Sequence, residues 1–416
     1  MGSAPPTVPL EAARRLTVTK QHLAGRLPSG PSRDSLLSVV RDLAYVQWDP
    51  VTVVAPSHLI SLWSRVGGFR ASDLEALLWE EKKLFEHWTP MASLVLTEDY
   101  PLYASLMRRY PDSLTSSWGS QRTRARRFLT EHAGLRRRIL RDLRSGPRSV
   151  SEFEAHEGTR RDDGDWAASS DVTEMLFHLL MRGEAMVVGH RGAQNLWGLT
   201  EQFLPASVKR EPLSEQEFER TAAQRALRAL GTATEREIRH YYPRGRYRNL
   251  KGTLAHLEKE AVVHRIRIEA LGPRDERFVH DDDLPLLESL QGRDWVPRTS
   301  LLPPFDNMLY STERTSRLFG FHYIREQFLP KEKRRFGTYV LPILRGDQLI
   351  GRIDPVFEKA TRTLRVLAVH AEPEAPTGRS VGSEVAETLR GLAQFIGADR
   401  VTYTSRVPRA WKSSLE

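Results

Sequence analysis

The chain reads as an α+β protein: three winged-helix units in tandem, then a β-rich C-terminal unit, shaped around a common cleft. Three observations predict this. Ser214 with Glu217, and Thr234 with Glu237, have capping-box spacing ahead of two helical stretches. The apolar period then changes from helical, over Leu250, Leu254 and Leu257, to strictly alternating, over Val262, His264, Ile266 and Ile268. Finally, Glu184-Ala185-Met186-Val187 returns as Glu260-Ala261-Val262-Val263, 76 residues further on, as an array of related modules requires.

The third unit carries the pattern most clearly. A helix runs from Ser214 to Leu230, a short one starts at Thr234 and stops before Pro243, and a third spans Asn249 to Glu260. Two strands follow, joined by the turn Leu271-Gly272-Pro273-Arg274-Asp275 and closing on Arg277-Phe278-Val279. Helix, helix, helix, strand, turn, strand is a helix-turn-helix with a wing. The second unit repeats the plan. It has a helix over Leu135–Leu143, a cap at Ser149 and Glu152, a helix over Asp171–Arg182, and a wing at Gly189-His190-Arg191-Gly192 that closes on Leu196–Leu199. The first unit is the weakest copy, with helices near Leu10–Ala24 and Arg33–Tyr45 and a third over Ser72–Glu81. The C-terminal unit reads as strands at Tyr339–Leu344, Leu349–Pro355, Leu364–Ala371 and Val401–Thr404, with a helix over Ser383–Ile396. The expected boundaries are 1–96, 97–205, 206–284 and 285–416.

Composition narrows the function. The absence of cysteine excludes disulfides, thiolate metal sites and cysteine nucleophiles. No apolar run reaches the length of a membrane span, and MGSAPPTVPLEAARR lacks the apolar core of a signal peptide. A cytoplasmic, nucleoid-associated protein is the expectation. The net charge is +9, and only ten of the 62 basic residues are lysine, which leaves 52 arginines. The planar guanidinium fork suits phosphates and guanine edges, so a polyanionic partner is expected. His280-Asp281-Asp282-Asp283 is expected to be a solvated turn after the wing rather than a metal site. The ten arginines between Gln121 and Val150 form either a solvated helical face or a phosphate contact.

One segment, Val46-Gln47-Trp48-Asp49-Pro50-Val51, admits two explanations. Asp before Pro initiates turns, and Gln47 could satisfy a nearby backbone group. Alternatively, Gln47 and Asp49 point the same way in an extended stretch with Trp48 facing the core. They would then hold one water, the carboxylate accepting its proton and the amide fixing its orientation.

The stretch VQWDPVTVVAPSHLISLWSR, together with LLPPFDNMLYSTERTSRLFGFHYIREQFLPKEKRRFGTYVLPILRGDQLIGRIDP, resembles the bacterial winged-helix DNA glycosylases of the YcaQ/AlkZ group, the crosslink-repair DNA glycosylases. The resemblance covers essentially the whole chain. It implies a DNA-holding cleft and hydrolysis of the N-glycosidic bond of N7-alkylguanine, including interstrand crosslinks, in base excision repair. It implies neither metal nor other cofactor. The catalytic Gln-x-Asp motif falls on Gln47 and Asp49, which places the chain in the YcaQ-like branch. The implied partner is double-stranded DNA, bound by a monomer through His58, Arg65, Lys331, Lys333, Arg334 and Arg335. The last four read as a basic hairpin tip, whereas Pro56 stands where a basic residue is expected. A winged-helix regulator without catalytic activity is the alternative, and a protein-binding scaffold is the third possibility.

Overall fold

The computed structural model describes residues 4–49, 51–89, 91–114, 119–155, 167–192, 194–292, 294–404 and 406–415. Residues 1–3 of the N-terminal stretch, and Pro50 of the Asp-Pro turn, lie outside them. The chain opens with strand β1 (Thr7–Val8) and the helix Leu10–Lys20. The order helix, strand, helix, helix, strand, strand then occurs three times.

In the first occurrence the elements are Arg33–Leu43, β2 (Val46–Gln47), Ser57–Val66, Ala71–Glu75 widening into a π turn over Ala76–Glu80, β3 (Leu84–Trp88) and β4 (Ala92–Leu96). Their sheet has the order β2-β4-β3. In the second, helices Ala133–Arg144, Val150–Ala155 and Ala167–Met181 precede the hairpin β5 (Ala185–Arg191) and β6 (Gln194–Leu199). Its first strand is reduced to one bridge, Arg148 with Trp197. In the third, Glu215–Leu230, β7 (Thr232–Ala233), Glu235–Tyr241 and Leu250–Lys259 lead to β8 (Val263–Ile268) and β9 (Glu276–His280). Ser214 and Thr234 each accept from the amide three residues on, and Glu217 and Glu237 reach back to complete the boxes. This satisfies helix-end amides that otherwise lack partners.

The N-terminal segment departs from expectation. Strand β1 pairs in parallel with β8, Thr7 against Arg267 and Val8 against Ile268. Ala12, Ala13 and Leu16 of the following helix bury against Ile266, Ile268 and Val279. The helix over Leu10–Lys20 therefore packs on the third unit, and the first unit begins at Arg33 rather than within an undivided 1–96. The helix taken as second is its first, and Ser57–Val66 supplies the second.

The C-terminal unit adds β10 (Thr299–Leu301), β11 (Leu341–Arg345), β12 (Gln348–Glu358), β13 (Thr363–Ala371) and β14 (Arg400–Tyr403) in one sheet of that order. Its helix Arg379–Ile396 buries Val385, Leu389 and Leu392 in a core that also contains Leu36, Val39 and Val40 of the first unit. The second and third units share another core, Met175 and Leu179 with Phe218, Ala222 and Leu227. The units are thus fused through apolar faces, and the clefts between them are fixed in shape. Among the described residues no helix is long and apolar enough to cross a membrane.

Candidate active site

The Gln-Trp-Asp motif occupies the short first strand of the first unit and the turn after it. Gln47 pairs with Ser93 across β2 and β4, and the Trp48 amide donates to the Ala92 carbonyl at 2.7 Å. Strand β2 ends at Gln47, so strand alternation is not carried through to Asp49. Gln47 lines a cleft of about 600 Å³ between the first unit, the third unit and the 305–328 segment. Asp49 does not line that cleft. Its Oδ1 accepts from the Val51 amide at 3.2 Å, and its carbonyl accepts from the Ser57 amide at 3.3 Å. The turn-forming role expected for Asp49 is therefore present.

The carboxylate has a second feature that a turn does not need. Asp49 is only 8% exposed, and its Oδ2 is buried with no hydrogen-bond partner. Burial raises its pKa above the ordinary 3.8, and the Val51 amide opposes this only in part. Close by, the Ser57 hydroxyl faces the Tyr339 phenol and the His58 ring lies beside the Asp49 carbonyl. The Tyr339 phenol is pushed up chiefly by burial, the Ser57 hydroxyl opposing this and the Asp49 charge adding to it. Polar groups thus cluster at the base of the motif, and the Asp49 Oδ2 is the one left with hydrogen-bonding capacity to spare.

The Trp48 ring does not simply face the core. It stacks on His58 with centroids 4.0 Å apart and 13° between planes, and lies 5.3 Å from His190 in the wing of the second unit. His190 meets Glu86 at 3.2 Å, and that contact raises its pKa. His58 is buried, and burial lowers its pKa to about 3, which keeps the ring neutral. A neutral, buried imidazole under an indole cannot serve as the expected DNA contact; it supports Trp48.

Arg65 also differs from expectation. Its side chain and that of Asp306 have no exposure, and its two Nη atoms meet the two carboxylate oxygens at 2.7 and 2.9 Å. Further bonds run to the Ser61 carbonyl and to Gln21. Arg65 is an internal tie that holds the 303–309 segment against the first unit, out of reach of DNA.

Lys331, Lys333 and Arg335 are exposed. They do not form a hairpin tip: Lys331–Lys333 is a 3-10 turn on the path from the helix Thr312–Phe319 to β11. Arg334 is held back, its Nε donating to the Leu329 carbonyl at 2.9 Å and its Nη1 to Thr338 at 3.0 Å. The expected solvated turn is only partly found: His280 and Asp283 are buried, His280 meets Asp282 at 3.4 Å, and Asp281, Asp282 and Asp283 pair with His264, Arg228 and Lys20. Among the described residues no group of three or more His, Asp or Glu is arranged to hold a metal. In the arginine-rich helices, Arg124, Arg126 and Arg136 pair with Glu174, Asp112 and Glu184.

The cleft wall contains residues that no local pattern marks. Asn307 donates to the Tyr45 carbonyl at 3.0 Å and to the Tyr241 hydroxyl at 2.9 Å, and that hydroxyl donates to the Leu43 carbonyl at 2.8 Å. The entry to β2, and hence Gln47, is thereby fixed from two other units. Five arginines, Arg236, Arg244, Arg314, Arg317 and Arg325, outnumber the carboxylates Glu237, Asp306 and Glu313 in the cleft lining, and Met91, Phe305 and Phe328 give it apolar surface. A basic cleft with aromatic faces suits a nucleic acid. A larger cavity of about 1070 Å³, lined by Trp63, Trp295 and Phe395, contains neither motif residue.

Comparison with known proteins agrees with this architecture. The family model described as "DNA glycosylase AlkZ-like" matches residues 40–395. The solved structure of Streptomyces sahachiroi DNA glycosylase AlkZ is similar, with a TM-score of 0.66, 17% identity, and coverage of 97% of this chain and 100% of that one. At that identity the likeness speaks for the fold, while the family match spans the motif, the cleft and most of the C-terminal sheet. The chain belongs to the AlkZ-like DNA glycosylase family and is a DNA glycosylase.

Proposed function

We propose that this glycosylase hydrolyses the N-glycosidic bond of N7-alkylguanine in double-stranded DNA, interstrand crosslinks included, acting as a monomer in base excision repair. One observation carries the reading: Asp49 keeps a buried carboxylate oxygen without a partner, two residues from the cleft-lining Gln47. An N7-alkylated guanine bears positive charge and leaves without an acid. The sugar that remains develops oxocarbenium character, as in glycoside hydrolysis. Gln47 on the cleft wall orients the attacking water, and the carboxylate of Asp49, buried two residues on, stabilises the developing charge and takes the proton. The raised pKa of Asp49 favours this role, because a stronger base accepts the proton more readily. Water is the nucleophile, so no covalent enzyme–DNA adduct forms. The regulator alternative is set aside by the family match.

Selectivity then follows from leaving-group charge. Release of free base is measured on matched duplexes carrying 7-methylguanine, uracil or 8-oxoguanine. The proposal requires release of 7-methylguanine and neither of the neutral bases. Efficient uracil excision would overturn it.

A further inference from the structure

Two of the six exposed large apolar side chains among the described residues line the cleft. Phe328 is 71% exposed, more than any other large hydrophobic residue described, and it lines the cleft together with Gln47 and the exposed Met91. Val51 and Ile324, also exposed, flank the motif and this segment. A phenylalanine ring in water forgoes its burial free energy, and isolated cases need no explanation. This one is different because its base is rigid.

On the N-terminal side of Phe328, Arg325 Nε donates to the Pro304 carbonyl at 2.7 Å. The Glu326 carboxylate, 7% exposed, accepts from the Phe336 amide at 2.7 Å and the Gly337 amide at 3.1 Å. On the C-terminal side, the Leu329 amide donates to the Glu326 carbonyl at 2.9 Å. The ring meets Phe305 edge-on, centroids 6.1 Å apart. Arg244, Arg317 and Arg325 line the same cleft, Arg317 paired with Asp275 and Arg325 lying over the Phe305 ring, and Lys331 and Lys333 follow in the next turn. An apolar tip on a fixed mount, in an arginine-rich cleft that it shares with Gln47, fits one partner chemistry: a stacked base step between two phosphate backbones.

We infer that Phe328 is a positioning residue, a wedge that enters the base stack beside the lesion and opens the duplex at the target sugar. The inference rests on the proposed reaction at C1′. Apolar wedges entering from the minor groove partly unstack a base step and kink the duplex towards the major groove. N7 and its substituent lie in the major groove. A kink of that sense widens the side from which water reaches C1′ and leaves the adduct outside, so the base need not rotate out of the helix. The cost of unstacking is offset by contact with the ring.

The test uses a duplex with 2-aminopurine next to 7-methylguanine, and the same duplex with plain guanine, bound by protein carrying Asp49→Asn so that the base stays in place. Fluorescence should rise on binding and lose that rise with Phe328→Ala. Phe328→Trp should restore it, with the melting temperature unchanged throughout. In otherwise wild-type protein, Phe328→Ala should slow single-turnover excision by roughly tenfold or more, as loss of a stacking aromatic does, and change affinity for undamaged duplex much less. A fluorescence rise undiminished by Phe328→Ala, or excision unaffected by it, overturns the inference. A Phe328-dependent rise without any release of 7-methylguanine by the wild-type enzyme would support the wedge and refute the lesion assignment instead.

Discussion

Asp49→Asn should lower base excision by a factor of about 10²–10⁴, the usual cost of losing a general base, without weakening the fold. The structure explains the second half. Asn keeps an Oδ1 that can accept from the Val51 amide, now bonded at 3.2 Å, so the turn survives. The other atom replaces an oxygen that has no partner to lose. Ionised Asp49 is itself a burden, because burial raises its folded pKa above the unfolded value near 3.8. The folded state then holds the proton more tightly. Stability from this group is present below the unfolded pKa and is lost as pH rises through the folded one. Near neutral pH the amide should therefore give a melting temperature equal to or above that of the wild type. The rate shows the opposite dependence, since only the ionised form accepts a proton. Single-turnover excision of 7-methylguanine, corrected for spontaneous depurination, should fall in acid for the wild type, with its break above the ordinary aspartate value. It should be low and flat for Asp49→Asn. Equal rates for the two proteins would refute the assignment, and a large loss of stability in the mutant would refute the turn geometry behind it.

Gln47→Ala should slow excision less than Asp49→Asn, because it removes orientation rather than charge; the reverse order in single-turnover rates would exchange the two roles. Arg65→Ala leaves Asp306 buried and uncompensated, so denaturant unfolding should register a loss of about 3–5 kcal/mol; a mutant of wild-type stability with weakened DNA binding would contradict the internal role given to Arg65. Neutralising Lys331, Lys333 and Arg335 together should weaken binding equally for all sequences and flatten the log–log salt dependence by about 0.9 per lost phosphate contact; an unchanged slope would mean this turn faces away from DNA.

Local chemistry made much of the architecture legible. The capping boxes at Ser214 and Thr234 start their helices where the side-chain spacing predicts, because a cap depends on only four residues. The wing at β8–β9 follows from alternation and its turn residues in the same way, and that at β5–β6 from its turn residues and the repeat. Long-range pairing was not legible. Strand β1 joins β8 across some 260 residues, Thr7 to Arg267, and two residues of strand give no periodicity to read. The site shows the same division. Gln47 and Asp49 stand out through residue type and resemblance, and the structure places Gln47 in the cleft. The burial of Arg65 depends on Asp306, 241 positions away, and nothing near Arg65 distinguishes a buried ion pair from a phosphate contact. No local pattern marks Phe328; only the fold reveals that its ring is left outside.

The central claim is that a charged lesion is cut in place from an open cleft. A duplex joined by a nitrogen-mustard crosslink between two guanine N7 atoms tests this most directly, because its bases cannot be rotated into a closed pocket. Incubated with the wild-type protein and run on a denaturing gel, it should separate into single strands at a rate comparable to release of 7-methylguanine from the same sequence. A crosslinked duplex that stays joined while the methyl adduct is excised would contradict the account.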